Sequence, residues 1–299
     1  MPAALAGERQ DRALAALLPE HSRARLTAWI REGRVTVDGQ RLPPKTRMAE
    51  GMALTVTPGE SPSQVARVEP QAMALDILYE DDEILVINKP AGLTVHPGAG
   101  QADGTLQNAL LAHRASLARV PRAGIVHRLD KHTSGVLVVA ATETAQTALV
   151  RAIQAREIGR EYRALVWGVP VAGGRIEAAL GRHPRDRTRF AVVRRGRDAV
   201  THYRVLEKFE RHALLGLALE TGRTHQIRVH LQHAGYPIIG DPAYGRRGDP
   251  WRRSLGRQAL HAYRLSLAHP ASGEALSWEV PLPADLQAVL DAWRDAAVD

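Results

Sequence analysis

Beyond about residue 73 the apolar residues of this chain come in short, strand-length runs, and no other feature constrains its fold as much. The runs fall at 77–79, 84–87, 136–139, 162–167, 200–206 and 214–219, and only the acidic turn 80–83 separates the first two. Helical spacing is scarcer. Ala145, Ala148, Leu149, Ala152 and Ile153 mark one amphipathic helix, and 224–234 reads as another, followed by Gly235 where a helix C-terminus favours glycine. Strands that outnumber helices, many close enough to pair as neighbours, predict an α+β domain rather than a regular βαβ winding.

Composition narrows the chemistry. The 299 residues include no cysteine, which excludes disulfides, a thiolate nucleophile, iron–sulfur clusters and Cys-type zinc sites, and fits a reducing, cytoplasmic setting. Forty Lys and Arg against 32 Asp and Glu give a net charge of +8, which points to a polyanionic partner. All but Lys45, Lys89, Lys131 and Lys208 of these cations are arginines. Arginine forks suit phosphates, although a GC-rich genome produces the same bias. No membrane partner is expected: apolar runs such as 136–141 fall far below the ~20 residues a spanning helix needs.

The first sixty residues read as a small separate unit. Leu14, Leu17 and Leu18 have helical spacing, and Ser22 is placed to cap a second helix, 23–31, whose stripe is Leu26, Trp29 and Ile30. Gly33 stops that helix. Apolar residues alternating around Asp38-Gly39 then predict a hairpin over 35–42, and a strand at 52–57 closes the unit. Arg23, Arg25, Arg31 and Arg34 lie off the apolar stripe, as a solvated face or as an RNA-contacting one. The domain limits expected are 8–57, a Pro-containing linker at 58–72, and a catalytic domain at 73–295.

Two polar clusters carry candidate chemistry. His127-Arg128-Leu129-Asp130 sits in a loop between Ile125-Val126 and the apolar run 136–139. A carboxylate held there suits a nucleophile or general base, but an Asp in a loop also caps amides, here those of Thr133 and Ser134, with His127 satisfied in the core. The second cluster, Glu220-Thr221-Gly222-Arg223-Thr224-His225-Gln226-Ile227-Arg228, runs from a strand through a turn into a helix. Arg223, near the positive end of that helix, calls for an anion. His225, His230 and His233 invite a zinc reading, but their spacings of five and three include no acidic or Cys partner, and no metal is expected.

These strings resemble two known families. Ser22-Arg23-Ala24-Arg25-Leu26 followed by Gly33-Arg34-Val35-Thr36-Val37-Asp38-Gly39 is similar to the S4 RNA-binding domain. His127-Arg128-Leu129-Asp130 with Thr133-Ser134-Gly135 resembles the pseudouridine synthase family that carries this motif. Further ordered matches are Asn88-Lys89-Pro90, Glu161-Tyr162-Arg163-Ala164, Thr221 to Leu231, Gly240-Asp241-Pro242, and Gln258-Ala259-Leu260-His261-Ala262. His132 departs from the pattern, where a small acidic residue is common.

The resemblance implies a pseudouridine synthase fold with a central mixed, largely antiparallel sheet behind an S4-like unit. It implies that Asp130 is the catalytic carboxylate, that Tyr162 stacks on the target uracil and takes the proton from C5, and that Arg223 pairs with Asp130 and orients it. Arg128 would fill the gap left by a flipped nucleotide, and the S4-like arginines would contact RNA. With the S4-like unit in front, the chain looks most like the branch acting on large-subunit (23S) ribosomal RNA at the helix 69 stem-loop, free or in a ribosomal particle; the alternatives are the same reaction at another rRNA or tRNA site, or a non-catalytic RNA-binding ribosome-assembly protein. The reaction moves a base from N1 to C5 attachment without redox change, so no cofactor, nucleotide or metal is expected. A monomer is expected.

Overall fold

The apolar runs that predicted strands become a sheet with apolar side chains on both faces. In the computed structural model, residues 1–19, 21, 23–58, 68–98 and 101–296 are described; Ser22, the expected helix cap, and 59–67 of the expected linker lie outside them. The elements are α1 (Gln10–Leu17), α2 (Arg23–Arg31), β1 (Val35–Val37), β2 (Leu54–Val56), β3 (Ile77–Glu80), β4 (Ile84–Lys89) and α3 (Leu106–His113). Then come β5 (Ser134–Ala140), α4 (Glu143–Ala155), β6 (Gly159–Trp167), β7 (Gly174–Glu177), β8 (Leu180–Arg182), β9 (Phe190–Val192), β10 (Val200–Lys208) and β11 (His212–Leu219). The chain continues through α5 (Gln226–His233), α6 (Trp251–Ser254), β12 (Leu260–Ala268), β13 (Ala275–Glu279) and α7 (Ala284–Asp295).

Nine strands form one sheet in the order β3-β4-β5-β12-β6-β11-β10-β7, with β13 also on β12. Only the β12–β5 pairing is parallel, so the sheet is mixed and largely antiparallel. All seven residues of β5 are buried. Leu137 and Val139 enter one core with Leu85 and Ile87, while Val136, Val138 and Ala140 enter the opposite core with Ile84 and Val86. This is the period-2 signature of a strand covered on both faces. The N-terminal unit has its own core, in which Leu14, Leu26, Trp29 and Ile30 pack on Val35.

The centre of the large sheet parts at one point. β12 pairs with β5 only at His261↔Ser134 and Ala262↔Gly135, then pairs with β13 from Arg264 onward. The loop bearing Asp130 enters β5 at this junction. Gly135 is needed there: its φ is +115°, and a Cβ would lie 2.1 Å from the Ala262 carbonyl oxygen. Gly135→Ala should therefore cost about 2–4 kcal/mol through backbone strain and overpacking. Denaturant unfolding measures this, and an unchanged midpoint would contradict the close approach.

Two expectations change in detail. The Asp38-Gly39 turn forms, with hydrogen bonds between Val37 and Gln40 in both directions, but no strand returns from it. β1 instead pairs with β2, and Asp38 Oδ1 accepts from Ala53 N at 2.8 Å. The prolines at 43 and 44 end any return strand, because proline has no N–H to offer a ladder. The helix read at 224–234 is Gln226–His233, since His225 adopts a left-handed φ of 59° just before it.

Candidate active site

Asp130 is free to do chemistry because its backbone does the capping. Thr133 N donates to the Asp130 carbonyl at 3.0 Å, and the carboxylate instead accepts from Arg228 Nη1 at 2.9 Å. The His127 alternative is settled on the structural side. His127 Nε2 accepts from Val138 N at 3.1 Å, occupying a β5 amide that no strand covers after β12 departs. Burial, reinforced by nearby Arg160, pushes the His127 pKa down to about 3, so this ring stays neutral.

Arg228 stands between two carboxylates. It gives Nε and Nη2 to Asp241 at 2.7 and 2.9 Å and Nη1 to Asp130. The side chain of Asp241 is fully buried and also accepts the amides of Ala243 and Tyr244. Burial works against its charge, but the Arg228 hydrogen bonds outweigh this and hold its pKa below the ordinary value. For Arg228 too, burial opposes the charge, and the two carboxylates more than offset it. The bidentate grip on Asp241 fixes the fork, so its remaining nitrogen presents a preset donor to Asp130.

This corrects the pairing expected for Arg223. Arg223 lines the same cleft, but its Nε donates to the Asp198 carbonyl at 3.1 Å, and the partner of Asp130 is Arg228. The reason is local. Gln226 turns its side chain back to accept from Arg223 N and Thr221 Oγ1, and His225 is left-handed, so α5 starts only at Gln226. Arg223 is left on the turn, while Arg228 lies in the first helical turn, facing the loop.

Several motifs that had no assigned role brace that loop. Lys89 is fully buried, and its Nζ donates to the carbonyls of Pro90, Leu93 and Lys131 at 2.7, 2.9 and 3.1 Å. Desolvation pushes its pKa down to about 7. Gln258 Nε2 donates to Thr133 Oγ1 at 3.0 Å, and Ser134 Oγ lies 2.9 Å from His261 Nδ1. The contacts at Lys131, Thr133 and Ser134 tie the Asp130 loop to strands or turns distant in sequence, which is how a rigid scaffold holds a reactive group in place.

Asp130 opens into a cleft of about 550 Å³ lined also by Tyr162, Arg128, Arg160, Arg223, His225 and Leu260. Tyr162 points into it from β6, and burial raises its phenol pKa. Arg128 is exposed at the cleft. His225 Nε2 lies 3.9 Å from Asp130 Oδ1, and its Nδ1 lies 2.8 Å from the Tyr244 hydroxyl. Because Phe190 N donates to that hydroxyl, its own proton can go to Nδ1, which leaves the imidazole proton on Nε2, toward Asp130.

His230, by contrast, is buried between Thr201 Oγ1 and the Ala178 carbonyl, and His233 is exposed. Among the described residues, no group of three or more His, Cys, Asp or Glu side chains could hold a metal ion. In the N-terminal unit, Arg23 and Arg9 hold buried Asp11, Arg25 pairs with Glu143 of α4, and Arg34 pairs with Glu32 at 3.0 Å. Arg31 is exposed, with no ion pair among the described residues.

A carboxylate set by an arginine, in a cleft rimmed with further arginines behind a small helix-and-hairpin unit, defines an enzyme that works on a polyanion. The RNA pseudouridylate synthase family matches residues 83–233, and the S4 domain matches 9–54. The chain belongs to the RNA pseudouridylate synthase family, whose reaction isomerises uridine to pseudouridine. The ribosomal large subunit pseudouridine synthase D of Neisseria meningitidis serogroup B is 51% identical over 309 residues, covering all of this chain and 82% of that protein. The protein of the same name from Pseudomonas aeruginosa is 51% identical, covering 98% of this chain and 94% of its own. That from Escherichia coli O157:H7 is 48% identical, covering 96% and 91%. Among solved structures, human RNA pseudouridylate synthase domain containing 1 superposes with a TM-score of 0.58 at 27% identity, covering 76% of this chain and 96% of that one.

Proposed function

We propose that this enzyme converts uridines of large-subunit (23S) ribosomal RNA to pseudouridine, with the helix 69 stem-loop as its target. The observation that carries the reading is the Asp130 carboxylate held by Arg228 in a cleft that also contains Tyr162. Glycosidic cleavage builds positive charge at C1′, and an ionised carboxylate beside it either traps C1′ or takes the C2′ proton. The uracil turns on the Tyr162 ring and rebonds to C1′ through C5, whose proton then passes to solvent water. With its pKa raised, Tyr162 rests as a neutral phenol, which suits a stacking platform. Arg128, exposed at the rim, fills the gap left by the flipped nucleotide. The reaction needs no cofactor.

Three further parts belong to this proposal: separate units at 8–57 and 73–295 joined by 58–72, a monomer, and a cytoplasmic setting. The full-length similarity to large-subunit synthases supports the target RNA. The test is to map pseudouridines on rRNA from cells lacking this protein, with and without restored wild-type or Asp130→Asn protein. Helix 69 pseudouridines should vanish and return only with the wild type; their persistence would refute the target.

The N-terminal arginines are assigned to RNA phosphates. Arg31→Gln with Arg34→Gln should flatten the slope of log Kd against log salt by roughly 1.5 units, at about 0.7–0.9 per lost contact. The single-turnover rate at saturating RNA should stay near wild type. An unchanged slope would leave these two residues without an RNA role.

A further inference from the structure

Arg160 is a buried cation with nothing among the described residues to pair it. It lies on β6 two residues before Tyr162, so the two side chains share a face of the strand. Both line the cleft, and they are 6% and 7% exposed. The other two buried arginines are fully engaged: Arg228 with Asp241 and Asp130, and Arg257 with Asp285 at 2.6 and 2.8 Å. Among the described residues the Arg160 side chain has no ion pair or hydrogen bond, and its Nε is sealed from solvent without a partner. A guanidinium withdrawn from water with no counter-charge is costly, and folds tolerate such breaches at functional sites.

The surroundings keep it unpaired and make room for it. Neighbouring His127 spends Nε2 on Val138 N. A Cβ on Gly222 would lie 2.7 Å from Arg160 Nη1, and the φ of Gly222 is not in the left-handed range, so this glycine supplies space rather than conformational freedom.

We propose that Arg160 is a substrate-binding residue whose guanidinium takes a backbone phosphate adjoining the uridine stacked on Tyr162. The proposal rests on the reading of this cleft as the uridine site. Residues two apart on a strand are separated by about 6.8 Å, so one face of β6 holds a base at Tyr162 and a phosphate at Arg160. The sugar bridges the two and is presented to Asp130. The guanidinium fork matches phosphate oxygens, and the missing counter-charge arrives with the RNA.

The test uses full-length Asp130→Asn protein, with Arg160 or Arg160→Gln, binding a 23S rRNA fragment that wild-type protein turns over. Arg160→Gln should weaken binding by about 10- to 100-fold, the range of a charged hydrogen bond. It should also flatten the salt slope by about 0.7–0.9, and Arg160→Lys should restore that slope. Tm of the free variant should be unchanged or higher, because an unpaired buried charge is gone; a structural arginine would lower it. Equal affinity and salt slope overturn the proposal, as does a lower Tm with full RNA affinity in the folded protein. If Arg160→Gln does not fold, Gly222→Ala crowds the guanidinium without removing it; weaker RNA binding then supports the proposal and unchanged binding overturns it. A wild-type enzyme that converts no uridine in any rRNA fragment defeats the reading of the cleft instead, which separates the two failures.

Discussion

Asp130→Asn should lower turnover on rRNA by at least about 10³-fold while leaving the fold intact. The substitution keeps the shape of the side chain, and its amide oxygen still accepts from Arg228 Nη1, now 2.9 Å from Asp130 Oδ2. Arg228 keeps its anchor on Asp241, so no buried charge is stranded. What is lost is the negative charge that meets the cationic sugar. Single-turnover assays with an rRNA fragment measure this, and circular dichroism with Tm checks the fold. Turnover near wild type would remove Asp130 from the chemistry.

Arg228→Met should damage both activity and stability, which distinguishes it from Asp130→Asn. It leaves the buried carboxylate of Asp241 with no counter-charge and removes the hydrogen-bonded cation from Asp130. Breaking a buried pair by removing one partner costs about 3–5 kcal/mol. The pH dependence has a definite sign. In the wild type, Arg228 holds the Asp241 pKa below its unfolded value, so the stabilisation is fully present above about pH 4 and is lost only as pH falls through the lowered pKa. In the variant only the Ala243 and Tyr244 amides still oppose burial, the largest influence, and the pKa rises. Stability is then present below about pH 4 and lost as pH rises through the raised value. Across pH 4 to 8 the stability that Arg228→Met loses relative to wild type, measured by urea unfolding, should therefore grow as pH rises. Adding Asp241→Asn to Arg228→Met should recover much of the stability and little of the turnover. Parallel pH curves for wild type and Arg228→Met would contradict this charge arrangement.

The elements readable from the sequence were those whose signal is local. The apolar runs at 84–87 and 136–139 marked β4 and β5, and the stripe from Ala145 to Ile153 marked α4 within two residues at each end. The strands β7, β8 and β9 went unread because each is only three or four residues long, too short to show a period. Long β12 and α7 were unread as elements, although Gln258 to Ala262 was matched as a motif. The hairpin at 35–42 failed because β1 found a better partner in β2, seventeen residues beyond its end, and no local pattern announces such a choice.

The site divides in the same way. Asp130 could be singled out because it stands in the family motif His127-Arg128-Leu129-Asp130 with Thr133-Ser134-Gly135; its loop setting alone also suits a capping role. Its partner could not. Arg223 and Arg228 are five residues apart in one string, and the left-handed His225 between them decides which one reaches the loop. Arg160 did leave a signal, since a basic residue two before Tyr162 on a strand must share its face, but its lack of a partner is a property of everything packed around it.

The sequence by itself determined the fold class and the family, through strand-length apolar runs and the ordered motifs that include His127 to Gly135. Both signals act within a few residues. Only the tertiary structure decided that Arg228 rather than Arg223 sets Asp130, that Lys89, Gln258 and His261 brace its loop, and that Arg160 is left unpaired. These are pairings across 40 to 130 residues of chain, where burial makes an ion pair or its absence decisive, and burial exists only once the sheet has closed over the site.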